Sequence, residues 1–286
     1  MPASLSTRIE KLARADTLAD GTPCRVISTA DIAGLADSTG QPGRVVEIAA
    51  LKNRILPDRY LRNRRSLSLD EQIQLLESCV GIVGLGGLGG LVTETLARLG
   101  VGRLHLVDGD DFEAHNLNRQ LLSTTGGLDT AKAEAAVRRV EQINPGIEAT
   151  VAREFLSAEN ALAQVTSCHL VVDCLDNIRS RFVLASAARQ SGIPMVSAAV
   201  AGVSGHVTTI FPEDTGLETI YGPLDQLTTS TGEEIRLGCL APGVNLIASL
   251  ECTEVLKVLL GRKNTLQNRL LLVDLSDYTL ETLQLS

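Results

Sequence analysis

The chain has 286 residues, of which 44% are apolar, 21% charged and 2% aromatic, and its net charge is −8. That length gives room for one large α/β domain plus an appendage, and the acidic balance argues against nucleic acid or an anionic membrane as a partner. No apolar run is long enough to span a membrane and the first residues lack a signal-peptide core; the six cysteines form no Cys-x-x-Cys pair, so free thiols in a cytoplasmic setting are expected.

Residues 1–58 read as a small, mainly helical N-terminal extension of open role. It comprises an amphipathic helix over 7–18, a Gly/Pro/Ser-containing region through Gly43, and a helix over 44–56 that stops at Pro57. The main domain is expected over 59–286. It begins with the basic segment Arg59-Tyr60-Leu61-Arg62-Asn63-Arg64-Arg65, which on composition is a solvated basic turn. A helix over 70–78 follows. Cys79 to Val83 is short, apolar and partly β-branched, the pattern of a buried parallel strand. Gly84, Gly86, Gly87 and Gly89 then permit a tight turn and a close backbone approach to a ligand. A helix over 88–99 stops at Gly100, and the strand over 103–108 ends on Asp108, where a ribose-binding carboxylate is expected. A helix that opens at a glycine turn offers free N–H groups to a phosphate.

Alternation continues with helices over 130–143, 158–165 and 177–191 and strands over 147–151, 170–173, 194–199 and 206–211. Residues 212–238 form a long polar segment, of a length that is usually functional or mobile. A helix over 244–260 and a hairpin of strands 270–274 and 279–284 close the chain. The expected fold is a Rossmann-like, doubly wound, mostly parallel sheet with antiparallel C-terminal strands.

Asp108, Asn116, Arg119 and Asp176 fall at or just past the carboxyl ends of predicted strands, the edge where open α/β sheets bind ligands. Lys132 opens the helix after the Arg119 loop. One carboxylate suits a ribose, an Arg and a Lys suit a polyphosphate, and a second carboxylate suits Mg²⁺ bound partly by phosphates. A triphosphate undergoing displacement needs such a set; a nicotinamide dinucleotide does not. Each residue has another reading. Asp108 can cap a turn with Gly109, Arg119 and Lys132 can be surface charges, and Asp173 and Asp176 can cap the following helix.

The chain resembles the ThiF/MoeB/HesA family of ATP-dependent adenylating enzymes, bacterial relatives of the ubiquitin-activating enzymes. The matching segments are Arg59-Tyr60-x-Arg62-Asn63, Gly84-x-Gly86-Gly87-x-Gly89, Val107-Asp108-x-Asp110, Asn116-Leu117-Asn118-Arg119-Gln120, Lys132, Asp173-Cys174-x-Asp176-Asn177 and Gly238-Cys239-Leu240-Ala241-Pro242. The resemblance implies a nucleotide site built from the four glycines, Asp108, Asp110, Asn116, Asn118, Arg119, Lys132, Asp176 and Asn177. Asp108 would hold the ribose; Asn116, Arg119 and Lys132 would contact the triphosphate; Asp176 would bind Mg²⁺. Arg62 would reach the γ-phosphate from the other subunit of a homodimer. The implied reaction joins the C-terminal Gly-Gly carboxylate of a small ubiquitin-like sulfur-carrier protein to AMP, with release of pyrophosphate. Many members carry two Cys-x-x-Cys pairs for zinc; this chain has none, so no zinc is expected. Residues 212–238 contain no cysteine, so thioester transfer in that segment has no support, and Cys239 reads as a packed residue. Adenylation of another carboxylate, a non-catalytic partner of the same fold, and a dinucleotide-dependent oxidoreductase are the competing readings.

Overall fold

The structure, a computed structural model, describes residues 4–227 and 232–285. In the N-terminal part these form α1 (Leu5–Leu12), β1 (Arg14–Thr17), β2 (Pro23–Ile27), α2 (Thr29–Thr39), α3 (Gly43–Lys52) and β3 (Ile55–Pro57). The extension is mainly helical, as expected, and its three helices are joined by a short three-stranded sheet ordered β1-β2-β3. The helix expected over 7–18 ends at Leu12 because Arg14–Thr17 pairs antiparallel with Pro23–Val26 through a turn at Gly21, whose φ is +84°. Within the Gly/Pro/Ser-containing stretch, Ser28 accepts a hydrogen bond from Asp31 N at 3.0 Å and so caps α2, which Gly40 ends in the left-handed region. The helix over 44–56 stops at Lys52, and Ile55–Pro57 pairs parallel to β2 instead.

The main domain contains α4 (Leu69–Glu77), β4 (Cys79–Val83), α5 (Gly87–Leu99), β5 (Arg103–Val107), α6 (Lys132–Ile143), β6 (Glu148–Ala152), α7 (Ala161–Val165), β7 (Leu170–Asp173) and α8 (Ile178–Gln190). It continues with β8 (Met195–Ala201), β9 (Ser204–Ile210), the short α9 (Glu218–Tyr221) and α10 (Glu234–Leu237), α11 (Ala241–Leu259), β10 (Arg269–Asp274) and β11 (Thr279–Gln284). The segment expected as a loop over 212–238 thus carries α9 and α10; its residues 228–231 lie outside the described residues.

One eight-stranded sheet runs β11-β10-β9-β8-β7-β4-β5-β6. The strands from β8 to β6 are mutually parallel; β9, β10 and β11 each pair antiparallel with their neighbours. Strand residues alternate between two cores, as the pleat requires. Val80, Ile82, Leu104 and Val172 pack with α5, α6 and α11 on one face; Val83, Val107 and Val171 pack with α7 and α8 on the other. Each fully buried aliphatic side chain of this kind contributes about 1.5–3 kcal/mol. Because β5 follows β4 outward in one direction and β7 flanks β4 in the other, the order reverses between β4 and β7, and a crevice opens at their carboxyl ends.

The N-terminal part meets the main domain through a buried polar seam. Tyr60 Oη donates to Glu47 Oε2 at 3.0 Å and accepts from Asn144 Nδ2 at 3.0 Å. Arg59 Nε faces Glu47 Oε1 at 3.3 Å, without the alignment of a hydrogen bond. Burial pushes the Glu47 carboxyl up to about 7, against the opposing pull of Arg59 and Tyr60. The folded chain therefore binds a proton that the unfolded chain has lost, and stability falls as pH rises from about 4.5 towards about 7. Between pH 6 and 8 this amounts to about 1 kcal/mol, a few degrees of melting temperature. We expect Glu47→Gln to melt with a flatter pH profile than the parent; parallel profiles would show that Glu47 is ionised throughout.

Candidate active site

Gly84 leaves β4 with φ +89°, and a side chain there would put its Cβ 2.6 Å from the carbonyl oxygen of Cys174 after β7. Only glycine fits both the dihedral and the approach. Gly86 stands at the N-cap of α5 without a capping side chain, so the first N–H groups of this 13-residue helix face the crevice. Gly87 borders the crevice and abuts Val244 of α11. Gly89 does not border it: a Cβ there would lie 1.8 Å from the Gly84 oxygen, so its glycine is required by the closeness of helix and turn.

Around this turn lies a cavity of about 640 Å³. Asp108, after β5, accepts from Leu85 N at 2.6 Å and from Asp110 N at 2.8 Å. Asp108 therefore caps the turn, and because a carboxylate has about four lone-pair sites, two more acceptor positions stay available on it. Burial raises its pKa, and the two N–H donors counter that. Lys132 is buried at the start of α6, and its Nζ donates to Asp110 Oδ2 at 2.6 Å. Arg119 Nη1 donates to Asn118 Oδ1 at 2.9 Å and to His115 O at 3.1 Å. Asn118 Nδ2 in turn donates to Cys239 O at 3.2 Å, tying this loop to the segment before α11. Asn116 is buried away from the cavity, where its Oδ1 accepts from Glu113 N at 3.0 Å and shapes the loop.

On the β7 side, Asp176 is exposed at the cavity wall. It does not cap α8. Asn177 does so, accepting from Ser180 N at 3.2 Å, while also bordering the cavity. Asp173 is not a cap either. It is fully buried, and accepts from Ser197 Oγ at 2.6 Å and Arg181 Nη1 at 3.0 Å. Arg181 also donates to Ala198 O at 2.6 Å and to Leu175 O, fastening the loop that carries Asp176 to β8. Cys174 Sγ donates to Glu251 Oε2 at 3.7 Å, and burial drives the Glu251 carboxyl well above the usual range. Cys239 borders the cavity with its Sγ 3.7 Å from Val200 O, and burial raises its thiol.

The fold thus gathers Gly84, Gly86, Gly87, Asp108, Asp110, Asn118, Arg119, Lys132, Asp176 and Asn177 around one cavity. Arg62 is exposed and does not border it within one subunit. Three further residues had no assigned role in the sequence. Gln120 is buried at the cavity with its Oε1 unpartnered. Phe155 is 71% exposed at the cavity beside Gly109, an unusual place for one of only four phenylalanines. Arg181 was hidden because its spacing from Asp173, eight residues, is legible only once a strand and a helix are known to turn back on each other.

The sequence profile of the ThiF family matches residues 60–286. The SAMP-activating enzyme E1 of Haloferax volcanii is 34% identical over 230 residues, covering 79% of this chain and 84% of that protein. The sulfur carrier protein ThiS adenylyltransferase of Escherichia coli is 33% identical over 196 residues, 68% and 77% of the two chains. The molybdopterin-synthase adenylyltransferase of the same organism is 32% identical over 211 residues, 73% and 84% of the two. Among solved structures, that of E. coli MccB with ATP superposes with a TM-score of 0.65 at 21% identity over 80% of this chain and 71% of that one. PaaA gives 0.67 at 22% identity over 79% and 82%; these two likenesses concern the fold. With its profile covering the whole main domain, the chain belongs to the ThiF family.

Proposed function

We propose that this chain is an ATP-dependent adenylyltransferase that activates the C-terminal Gly-Gly carboxylate of a small ubiquitin-like sulfur-carrier protein. The observation that carries this reading is the convergence of Asp108, Arg119, Lys132 and Asp176 on one cavity beside the free N-terminus of α5. Relatives named for ThiS and molybdopterin-synthase adenylylation, 32–33% identical, support the substrate class.

The residues fit ATP part by part. The exposed Phe155 offers an apolar face to the base, Asp108 accepts from the ribose, and the glycine turn leaves room for phosphates where a Cβ would stand. Arg119 and Lys132 neutralise the triphosphate; Lys132 exchanges its Asp110 partner for phosphate oxygens. Asp176 is an exposed carboxylate at the cavity wall and would hold Mg²⁺ together with ATP phosphates and water. Bound Mg²⁺ would offset charge on the leaving pyrophosphate. The carrier carboxylate oxygen bonds to the α-phosphorus, the bond to the bridging oxygen of pyrophosphate breaks, and an acyl-adenylate forms. Positioning and charge neutralisation suffice; no protein nucleophile is required.

Residues 59–286 carry this reaction, with residues 1–58 outside it. The enzyme acts as a homodimer in which Arg62 of each subunit serves the other's triphosphate, and its free thiols suit the cytoplasm. No described helix is long and apolar enough to cross a membrane. The test is carrier-dependent exchange of labelled pyrophosphate into ATP, alongside thermal shifts with ATP and with NAD. Exchange plus a selective ATP shift is expected. ATP binding without exchange on any Gly-Gly carrier would overturn the reading, and a selective NAD shift would favour hydride chemistry.

A further inference from the structure

A second cavity, of about 950 Å³, opens beside the first and shares Asp176, Arg181 and Glu234 with it. Its floor is the face of β8 to β11 opposite α11, where Tyr221 of α9 lies against His206, Oη to Nε2 at 3.3 Å. On these strands Val207 packs into the core shared with α11, whereas His206, Leu272 and Asp274 alternate with it and border the cavity. The register sets Ala199, His206, Leu272 and Glu281 in one row across the four strands. Ala199 borders both cavities, so Glu281 stands three strand spacings, about 14 Å, from the nucleotide side.

The walls of this cavity are strongly acidic. Glu233, Glu234, Asp274, Asp277 and Glu281 border it in addition to Asp176. Among its described lining residues the basic groups are Arg181, which is buried and committed to Asp173, and His206. Burial pulls the His206 ring down to about 4, so it stays neutral near pH 7. Exposed Leu237 adds an apolar rim. An elongated, acidic sheet face that leads to the site of carboxylate activation is a mould for an extended, positively charged strand of polypeptide.

We propose that this cavity holds the residues just upstream of the activated carboxylate and selects, by charge, a tail that carries lysine or arginine there. The inference rests on the adenylation reading of the neighbouring cavity. An extended chain rises about 3.3 Å per residue, so 14 Å corresponds to about four residues. The basic residues of the partner therefore lie roughly at the fourth to sixth positions from its C-terminus, against Asp274, Asp277 and Glu281.

Two synthetic peptides ending in Gly-Gly, identical except for lysine or glutamate at those positions, test this with the full chain. The lysine peptide should bind about tenfold more tightly in low salt by fluorescence anisotropy, with the advantage shrinking as salt screens it. Asp277→Lys with Glu281→Lys should reverse the preference while leaving the ATP-induced thermal shift unchanged. Equal affinity for the two peptides, binding of neither, or a preference that survives charge reversal would overturn the proposal. The two readings fail separately. Charge-selective binding without pyrophosphate exchange speaks against adenylation alone; equally efficient exchange with both peptides speaks against charge selection alone.

Discussion

Asp176→Ala is expected to lower pyrophosphate exchange by about a thousandfold or more while the chain melts within a few degrees of the parent. The asymmetry follows from where the side chain sits. Asp176 is exposed at the wall of the nucleotide cavity, and the fold asks nothing of its carboxylate, because Asn177 supplies the cap of α8 and Asp173 holds Arg181. Its removal leaves no buried group unpaired and opens no packing defect. On the proposed function it does remove an exposed carboxylate assigned to Mg²⁺ beside the triphosphate. Raising Mg²⁺ should restore part of the rate if the loss is one of metal affinity. Mixing Asp176→Ala with Arg62→Ala protein then checks the proposed dimer. If Arg62 serves the opposite subunit, hybrid dimers hold one intact site and regain activity; a mixture as dead as its parents would place Arg62 in its own subunit, and an active Arg62→Ala protein would place it outside the reaction. Exchange by Asp176→Ala at the parent rate would remove the residue from the mechanism.

The reverse pattern is expected for Gly89→Ala. A methyl group there would stand 1.8 Å from the Gly84 carbonyl oxygen and 3.3 Å from Cys174 Cβ, with backbone rather than a flexible side-chain end as the obstacle. Either α5 withdraws from the turn or the turn changes shape, and both dismantle the array of N–H groups facing the cavity. Overpacking of this kind costs about 1–3 kcal/mol or more, and the displacement falls on the backbone proposed to bind phosphate. The variant should melt several degrees lower and lose its ATP-induced thermal shift even though position 89 never touches the ligand. An alanine variant that binds ATP like the parent would mean that the turn and helix have slack the structure does not show.

The main domain was legible in the sequence because its strands are short apolar runs. Val80–Val83, Leu170–Val172 and Val196–Ala198 are buried, so composition and structure coincide there. The N-terminal sheet was not legible for the opposite reason. Arg14–Thr17 is exposed along its length and carries no apolar alternation, so β1 exists only by pairing with β2, a tertiary fact. Its helical reading followed from the amphipathic run before it. The site divides in the same way. Asp108, Arg119 and Lys132 fall at or near predicted strand and helix ends, and the structure brings the three to one cavity. Gly89 and Asn116 belong to the same motifs, but their work is to shape the turn and the loop. Phe155 and Gln120 could not be assigned without knowing that the β6–α7 connection and the Arg119 loop face one another across the cavity.

The sheet order has a consequence for how such an enzyme acquires new partners. The groups assigned to ATP follow β4, β5 and β7, whereas Asp274, Asp277 and Glu281 of the acidic face belong to β10, β11 and the turn between them, beyond β8 and β9. Substitutions on β10 and β11 can accumulate without disturbing a phosphate contact, and the strands themselves are secured by backbone pairing and by α11 behind them. Divergence of one reaction toward many clients then requires recolouring one end of a sheet rather than rebuilding a catalyst, and a designer seeking an orthogonal enzyme–client pair would begin there.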